Sequence, residues 1–259
     1  VEVEKDDEIQ ITDKLSLEFA HVNHSIPDTS LSLLNTPEGY VVYGNDMKID
    51  QSPAIEETTD VERLKKAGRQ GVKVMIPGTT RVDDPGRTRS EESVKIELED
   101  VLNSCYNAGG AVFFSTFSSQ IGRLNSVIEA NNGRRKIAFV GRSLKEYVES
   151  AEKLDLIDTS DIEVVSYFDE VESLMDRVDD EREEWLVVAT GNQGEPGAQL
   201  DKMASGTYPF EFEEGDHMIF SSHVIPTPTN EANRHELEQK LEEQGVRIYP
   251  GIHTTGHAR

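Results

Sequence analysis

The chain has 259 residues, enough for one or two domains with a sizeable buried core. It carries 50 acidic against 26 basic side chains, a formal charge of -24 spread along the sequence rather than gathered in a tail. A surface of this kind keeps a protein soluble and discourages non-specific nucleic-acid binding, and it suits a high-salt cytoplasm. A halophilic source is therefore expected, with an ordinary acidic cytosolic protein as the alternative, and any recognition of nucleic acid must be local, with salt screening the repulsion. The single cysteine, Cys105, excludes an internal disulfide, fits a reducing compartment and reads as a small core residue of a helix. No apolar run approaches the roughly 20 residues of a membrane span, and no secretory signal is present, so a cytoplasmic, membrane-free protein is expected. The sequence opens at Val1 in mid-protein style and stops at Arg259 without a tail, which points to a piece of something longer.

In chain order, 15–22 and 31–35 read as strands, and Gly39 turns the chain into a third at 40–44. A helix over 60–70 precedes 72–76, whose apolar run reads as a buried strand. From about residue 90 the texture alternates. Helices are predicted to 108 and over 118–130, 143–153, 169–178, 198–205 and 230–244. Strands are predicted over 111–115, 136–140, 163–166, 185–190, 217–221 and 246–249. Short apolar strands separated by helices argue for a parallel sheet covered on both faces. The acidic run 179–184 reads as a solvated loop.

Two motifs after predicted strands carry metal-ligand chemistry: Asn23-His24-Ser25-Ile26-Pro27-Asp28 and Asn45-Asp46-Met47-Lys48-Ile49-Asp50. A neutral imidazole and a carboxylate both suit a divalent cation, yet zinc usually takes three or more protein ligands, so this is half a site. Three further loops lie where strands end and helices begin, the ligand-binding edge of open α/β sheets. Ser115-Thr116-Phe117-Ser118-Ser119-Gln120 offers helix-capping hydroxyls and free amides, for a cap or for a phosphate. Gly141-Arg142-Ser143 places a guanidinium and a hydroxyl at a helix start, suited to an anion. Thr190-Gly191-Asn192-Gln193-Gly194-Glu195-Pro196-Gly197 is either a plain turn or a loop whose glycines admit a ligand close to the backbone. The closing His253-Thr254-Thr255-Gly256-His257 suits phosphate contact, proton transfer or metal ligation. His217, His223 and His235 lack such context and read as structural.

The order of these motifs, with Pro85-Gly86 and Phe220-Ser221-Ser222 between them, resembles that of the ribonuclease J group of β-CASP metallo-β-lactamase nucleases over almost the whole chain. The resemblance implies an α/β protein: a partial metallo-β-lactamase αββα sandwich over 1–78, a β-CASP domain with a parallel sheet flanked by helices over 79–252, and a return to the first part over 253–259. It implies that His24 is a ligand of one zinc and that Asp46 is a catalytic carboxylate bridging two. His257 is similar to the histidine that contacts the scissile phosphate, while Arg142, Ser143, His253 and Thr255, together with His257, resemble the pocket for RNA phosphate or its 5′-monophosphate end. The chemistry implied is two-metal hydrolysis, in which a bridging hydroxide attacks the phosphodiester in line. The expected substrate is RNA, trimmed from its 5′ end, cleaved internally or both. An archaeal source and a homodimer or homotetramer are expected on the same ground.

Two departures stand out. The H-x-H-x-D-H signature and the late His-Gly-Glu of that group are nowhere in the chain. Their expected places lie before Val1 and beyond Arg259, so the isolated chain is expected to be weak or inactive as a nuclease. The acidic position that bacterial relatives place before Ser-Thr-Asn falls on Gly78, with Asp83 and Asp84 as the nearest substitutes. A second reading is a non-catalytic α/β module that holds nucleotide or RNA phosphate. A third, a flavodoxin-like regulator, leaves 23–28 and 46–50 unexplained.

Overall fold

The structure is a computed structural model that describes Val3 and residues 7–259, so the first few residues of the expected N-terminal part lie outside the described residues. The chain forms two compact units: Val1–Glu92 with Thr254–Arg259, and Ser93–His253.

The first unit is built on a five-stranded sheet in the order β1 (Glu8–Thr12), β2 (Leu15–His21), β3 (Ser30–Thr36), β4 (Gly39–Tyr43) and β5 (Val72–Ile76). The first four strands form an antiparallel meander because short connections join them. β5 pairs with β4 in parallel, which requires a crossover, and helix α1 (Val61–Gln70) supplies it. The Asp60 carboxylate accepts a 2.9 Å bond from the Arg63 amide and so starts that helix. Period-2 alternation puts Ala20, Leu31, Leu33, Tyr40 and Val42 on one buried face, and Ala67 of α1 joins them. Glu18 points into the same face. Its carboxylate accepts a 2.8 Å bond from the Tyr40 hydroxyl, and burial together with that neighbour pushes the phenol up to about 12.

Two strands depart from expectation. β1 was not expected, because its side chains lie mostly outside any core and only backbone pairing with β2 makes it a strand. The run 72–76 is a strand but not a buried one: Val74 is 47 %, Met75 53 % and Ile76 50 % exposed. An apolar run by itself does not say whether another layer covers it. β5 thereby displays an apolar surface.

The second unit holds a six-stranded sheet in the order β11-β10-β6-β9-β7-β8, with every neighbouring pair parallel. In chain order its elements are α2 (Glu91–Ala108), β6 (Val112–Ser115), α3 (Ile121–Asn131), β7 (Lys136–Val140), α4 (Arg142–Lys153), β8 (Ile162–Val165) and α5 (Phe168–Asp180). There follow β9 (Trp185–Ala189), α6 (Gln199–Ala204), β10 (His217–Phe220), α7 (Pro228–Glu243) and β11 (Arg247–Tyr249). Strands β6, β9 and β10 are buried at every residue, the mark of a parallel sheet covered on both faces. This is the α/β architecture the alternating texture predicts. Phe113, Phe210 and Phe212 anchor one side, with ring centroids 4.6 to 5.4 Å apart.

Cys105 is fully buried on α2, as read. His217 is structural, as read: its Nε2–H donates to the Gly109 carbonyl at 3.0 Å. The run 179–184 is a correction. It ends α5 and continues as a 3-10 turn rather than a free loop. Arg182 holds it, donating to Asp216 at 2.7 Å and to the Glu211 carbonyl at 2.8 Å. Among the described residues no helix is long and apolar enough to cross a membrane.

Candidate functional site

In the first unit, loops from three places in the sequence meet. The chain leaving β2 forms a bridge between Asn23 and Lys48, with the Lys48 amide 2.7 Å from the Asn23 carbonyl. That bridge sets His24, one residue on, beside the segment carrying Asp46. Thr59 donates to the Asn23 side chain at 2.8 Å and locks the pair. Lys48 is almost fully buried, and its ammonium lies 2.9 Å from Asp50 and 3.1 Å from Glu91. The Glu91 amide also donates to Asp50 at 3.0 Å. Just upstream, the Thr88 hydroxyl donates to the His257 carbonyl at 2.7 Å and the Arg89 carbonyl accepts from Thr254 at 2.8 Å. The closing segment is also pinned to the Asp46 loop, with the Ala258 amide 2.6 Å from the Met47 carbonyl.

The side chains so placed are His24, Asp46 and His257. The rings of His24 and His257 stand 5.3 Å apart between centroids. His257 Nδ1 lies 3.3 Å from an Asp46 carboxylate oxygen. His24 Nδ1 lies 2.8 Å from the Gly256 carbonyl, which can only accept, so Nδ1 carries the proton and Nε2 keeps its lone pair. Gly256 is required there: a Cβ would stand 2.7 Å from His24 Nδ1 and 3.0 Å from the Ser25 amide. Burial lowers the His257 pKa, the Asp46 carboxylate opposes that shift, and His24 and Arg81 add to it. The balance favours the neutral imidazole, whose Nδ1 faces Asp46.

Gly78 has a steric reason in this chain. Its amide donates to the Asn45 carbonyl at 3.1 Å, and a Cβ there would fall 2.5 Å from that oxygen. A larger residue would displace the loop that bears Asp46. Of the nearby carboxylates, Asp84 is paired with Arg81.

The donor types fit zinc, and the tautomer of His24 presents a ligating nitrogen. Two donors do not make a closed site, however. Among the described residues no group of three or more histidine, cysteine, aspartate or glutamate side chains could hold a metal ion.

In the second unit, the predicted loops lie along one edge, at the carboxyl ends of parallel strands. Bonds tie them in sheet order: Ser221 N to Ser115 O at 2.8 Å, Ser115 Oγ to Ala189 O at 2.6 Å, Thr190 N to Val140 O at 3.1 Å and Gly141 N to Val165 O at 2.9 Å. Arg142 and Ser143 open α4, exposed, and the Ser143 hydroxyl lies 3.0 Å from that of Ser118. No side chain caps this helix, since Gly141 at φ 134 precedes it. A Cβ on Gly141 would meet Thr190 at 2.6 Å. His253 Nδ1 donates to the Ser221 carbonyl at 3.1 Å, so this histidine belongs with the loop after β10. Thr255 lies in the other unit, nearly buried, its hydroxyl accepting from the His257 amide at 3.3 Å.

Two residues on this edge had no role assigned from sequence. Asn192 Nδ2 and Ser222 Oγ are buried polar atoms that lack a hydrogen-bond partner among the described residues. Their loops touch, for Gln193 donates to the His223 carbonyl at 3.1 Å and accepts from the Ile225 amide at 2.8 Å. Buried groups normally find partners, so a pair left open beside a helix-start anion loop is what an oxygen-rich ligand would complete. Both stand inside motifs visible in the sequence. Their burial and open valence are not.

A family model for the β-CASP domain of ribonuclease J matches residues 109–238. The chain is 41 % identical over 252 residues to ribonuclease J of Pyrococcus abyssi, covering 96 % of this chain and 55 % of that protein. It is 38 % identical over 253 residues to ribonuclease J of Methanocaldococcus jannaschii, covering 96 % of this chain and 56 % of that protein. Against ribonuclease J of Thermus thermophilus the identity is 33 %, over 99 % of this chain and 44 % of the relative. The chain thus spans about half the length of these curated relatives. A crystal structure of an Enterococcus faecalis V583 protein of unknown function shares the fold, with a TM-score of 0.64 at 14 % identity, over 99 % of this chain and 56 % of that one.

Proposed function

This chain belongs to the ribonuclease J family, and from that membership we propose that the protein of which it forms part hydrolyses RNA phosphodiesters, by 5′–3′ trimming, internal cleavage or both, in RNA processing and decay. The observation that carries the reading is the meeting of His24, Asp46 and His257 in one corner of the first unit. In this proposal His24 Nε2 and Asp46 are two ligands of a zinc site whose remaining ligands come from the rest of the protein. The metal, when bound, would supply the Lewis acidity and the activated water. Within this chain the Gly256 carbonyl orients His24, and His257, held by Asp46 through Nδ1, faces the scissile phosphate. Arg142, Ser143, His253 and Thr255 are proposed to contact RNA phosphate, with Asn192 and Ser222 as further donors on the same edge as Arg142. The dispersed charge of -24 supports a halophilic, cytoplasmic setting, and a homodimer or homotetramer is proposed with it.

The test compares the full-length protein, its His257→Ala variant and the isolated chain on 5′-monophosphorylated RNA with zinc supplied. Loss of an acid–base or charge-stabilising group should lower turnover by roughly 10²- to 10⁴-fold while RNA affinity changes little, and the isolated chain should be weak or inactive. Full cleavage by His257→Ala would remove that residue's role. A full-length protein that binds 5′-phosphorylated nucleotide yet cleaves nothing would favour the second reading, a phosphate-binding module, which the open valences of Asn192 and Ser222 support.

A further inference from the structure

We propose that Tyr167 and Phe168 form a shelf on which an unpaired base of the bound RNA stacks, beside the Gly141-Arg142-Ser143 loop. This inference rests on the RNA-binding reading above and adds a base contact to its phosphate contacts.

The placement comes from the sheet. β8 is the edge strand, paired with β7, and the Gly141 amide donates to the Val165 carbonyl at 2.9 Å. The loop opening α4 and the segment 166–168 therefore leave the same edge side by side. Neighbouring strands lie about 4.8 Å apart, so the shelf stands roughly 10 Å from the loop after β9, two strands away. With the 5′-phosphate at the loop after β9 and later phosphates at Arg142, the shelf is within reach of a short oligonucleotide and beyond a single nucleotide.

Folding gives little reason for two outward aromatics at this point. Tyr167 is 66 % and Phe168 47 % exposed. Tyr167 occupies the N-cap of α5, where Ser, Thr, Asp or Asn would stabilise the helix better. The ring of Phe168 is backed by the buried Tyr208, with centroids 5.2 Å apart, so one side is anchored.

Two cations, Arg142 and Lys145, stand on α4 beside the rings. Lys145 Nζ lies 5.7 Å from the Tyr167 ring centroid. It pairs with Glu149 at 4.0 Å, the outer limit of an ion pair, and acts through space on Glu170. Arg142, one turn earlier on the same face of α4, is exposed and forms no ion pair among the described residues. Two exposed acids, Asp169 and Glu170, follow the rings in sequence, and the Glu170 carboxylate accepts from the Ser166 and Tyr167 amides at 3.1 Å each. Aromatic faces beside cations suit a nucleobase and its phosphate, since base stacking is sequence-tolerant and every base has a π-face. A folded protein partner is a poorer match, because two rings are far short of the roughly 800 Å² per side that a stable interface buries.

The experiment measures binding of a 5′-monophosphorylated mononucleotide and of a 5′-monophosphorylated pentaribonucleotide to full-length protein, with divalent metal chelated to stop cleavage. Tyr167→Ala should weaken the pentamer roughly 5- to 100-fold and leave the mononucleotide within about two-fold, while Tyr167→Phe should bind as the parent does. A pentamer carrying 5-iodouridine should photocrosslink to Tyr167 or Phe168. Undiminished pentamer binding by Tyr167→Ala, or equal weakening of both ligands, overturns the shelf. Parent protein that binds the mononucleotide but gains nothing from added length overturns it while sparing the phosphate sites. Parent protein that binds neither overturns both.

Discussion

The two units bury their apolar residues in different ways. In the second, β6, β9 and β10 are buried residue by residue, helices cover the sheet, and the core runs from Phe113 to Leu241. In the first, the sheet packs one face on α1 and ends on β5, whose five residues are all exposed although four of them are apolar. The second unit satisfies its own hydrophobic requirement. The first satisfies part of it and places its stability instead in polar locks such as Lys48, Asp50 and Glu91. The residues proposed for chemistry sit among those locks, where a loop held by buried charge keeps donor groups in fixed positions.

That contrast can be broken at several points. The largest effect is expected from Phe113→Ala, about 3–5 kcal/mol, because the ring is fully buried among other aromatics. The chain's one tryptophan, Trp185, lies in the second unit, so urea unfolding followed by its fluorescence reports that unit. Next comes Lys48→Met, expected to cost the first unit about 3 kcal/mol, since it strands the buried carboxylate of Asp50. Far-UV circular dichroism should show this loss while Trp185 fluorescence holds its midpoint. If the two probes shift together, the units do not unfold separately.

A smaller effect concerns pH. Burial holds the His217 pKa below its ordinary value, opposed by the Gly109 carbonyl. The unfolded chain therefore binds the proton more readily. The stability due to the neutral ring is present above about pH 6.5 and is lost as pH falls through the depressed folded value. The second unit should weaken on acidification in that window, and His217→Asn should flatten the slope measured by Trp185 fluorescence. A slope unchanged in the variant would assign it to other groups. The smallest effect on stability is expected from Met75→Lys on β5, within about 0.5 kcal/mol, because the side chain is 53 % exposed. Its consequence should appear in self-association instead. Light scattering of the isolated chain should fall, since a charged edge strand resists pairing.

Much of the second unit is legible in the sequence, because its strands are short apolar runs and its helices fill the spaces between them. β1 is not legible, since Glu8–Thr12 presents no apolar face and exists as a strand only through β2. β5 is legible as a strand but not as an exposed one, for covering depends on a layer that local pattern does not encode. The motifs around His24, Asp46, Arg142 and His257 stand out by residue type. The need for glycine at 78 and 256 does not, because it arises from the approach of Asn45 and of His24, distant in sequence.

Composition, charge and the order of motifs determined what kinds of groups this chain can present: an imidazole and a carboxylate near one end, a histidine at the other, and hydroxyl-rich and glycine-rich loops between. Those are properties of single residues and short spacings, and chemistry follows from them directly. Only the tertiary structure decided which groups meet. It set His257 3.3 Å from Asp46 across some two hundred residues of chain. It fixed the protonated nitrogen of His24 through the Gly256 carbonyl, left Asn192 and Ser222 buried without partners among the described residues, and turned Tyr167 outward beside Lys145. Proximity, burial and tautomer depend on long-range packing, in which each side chain's environment is made by residues far from it in sequence.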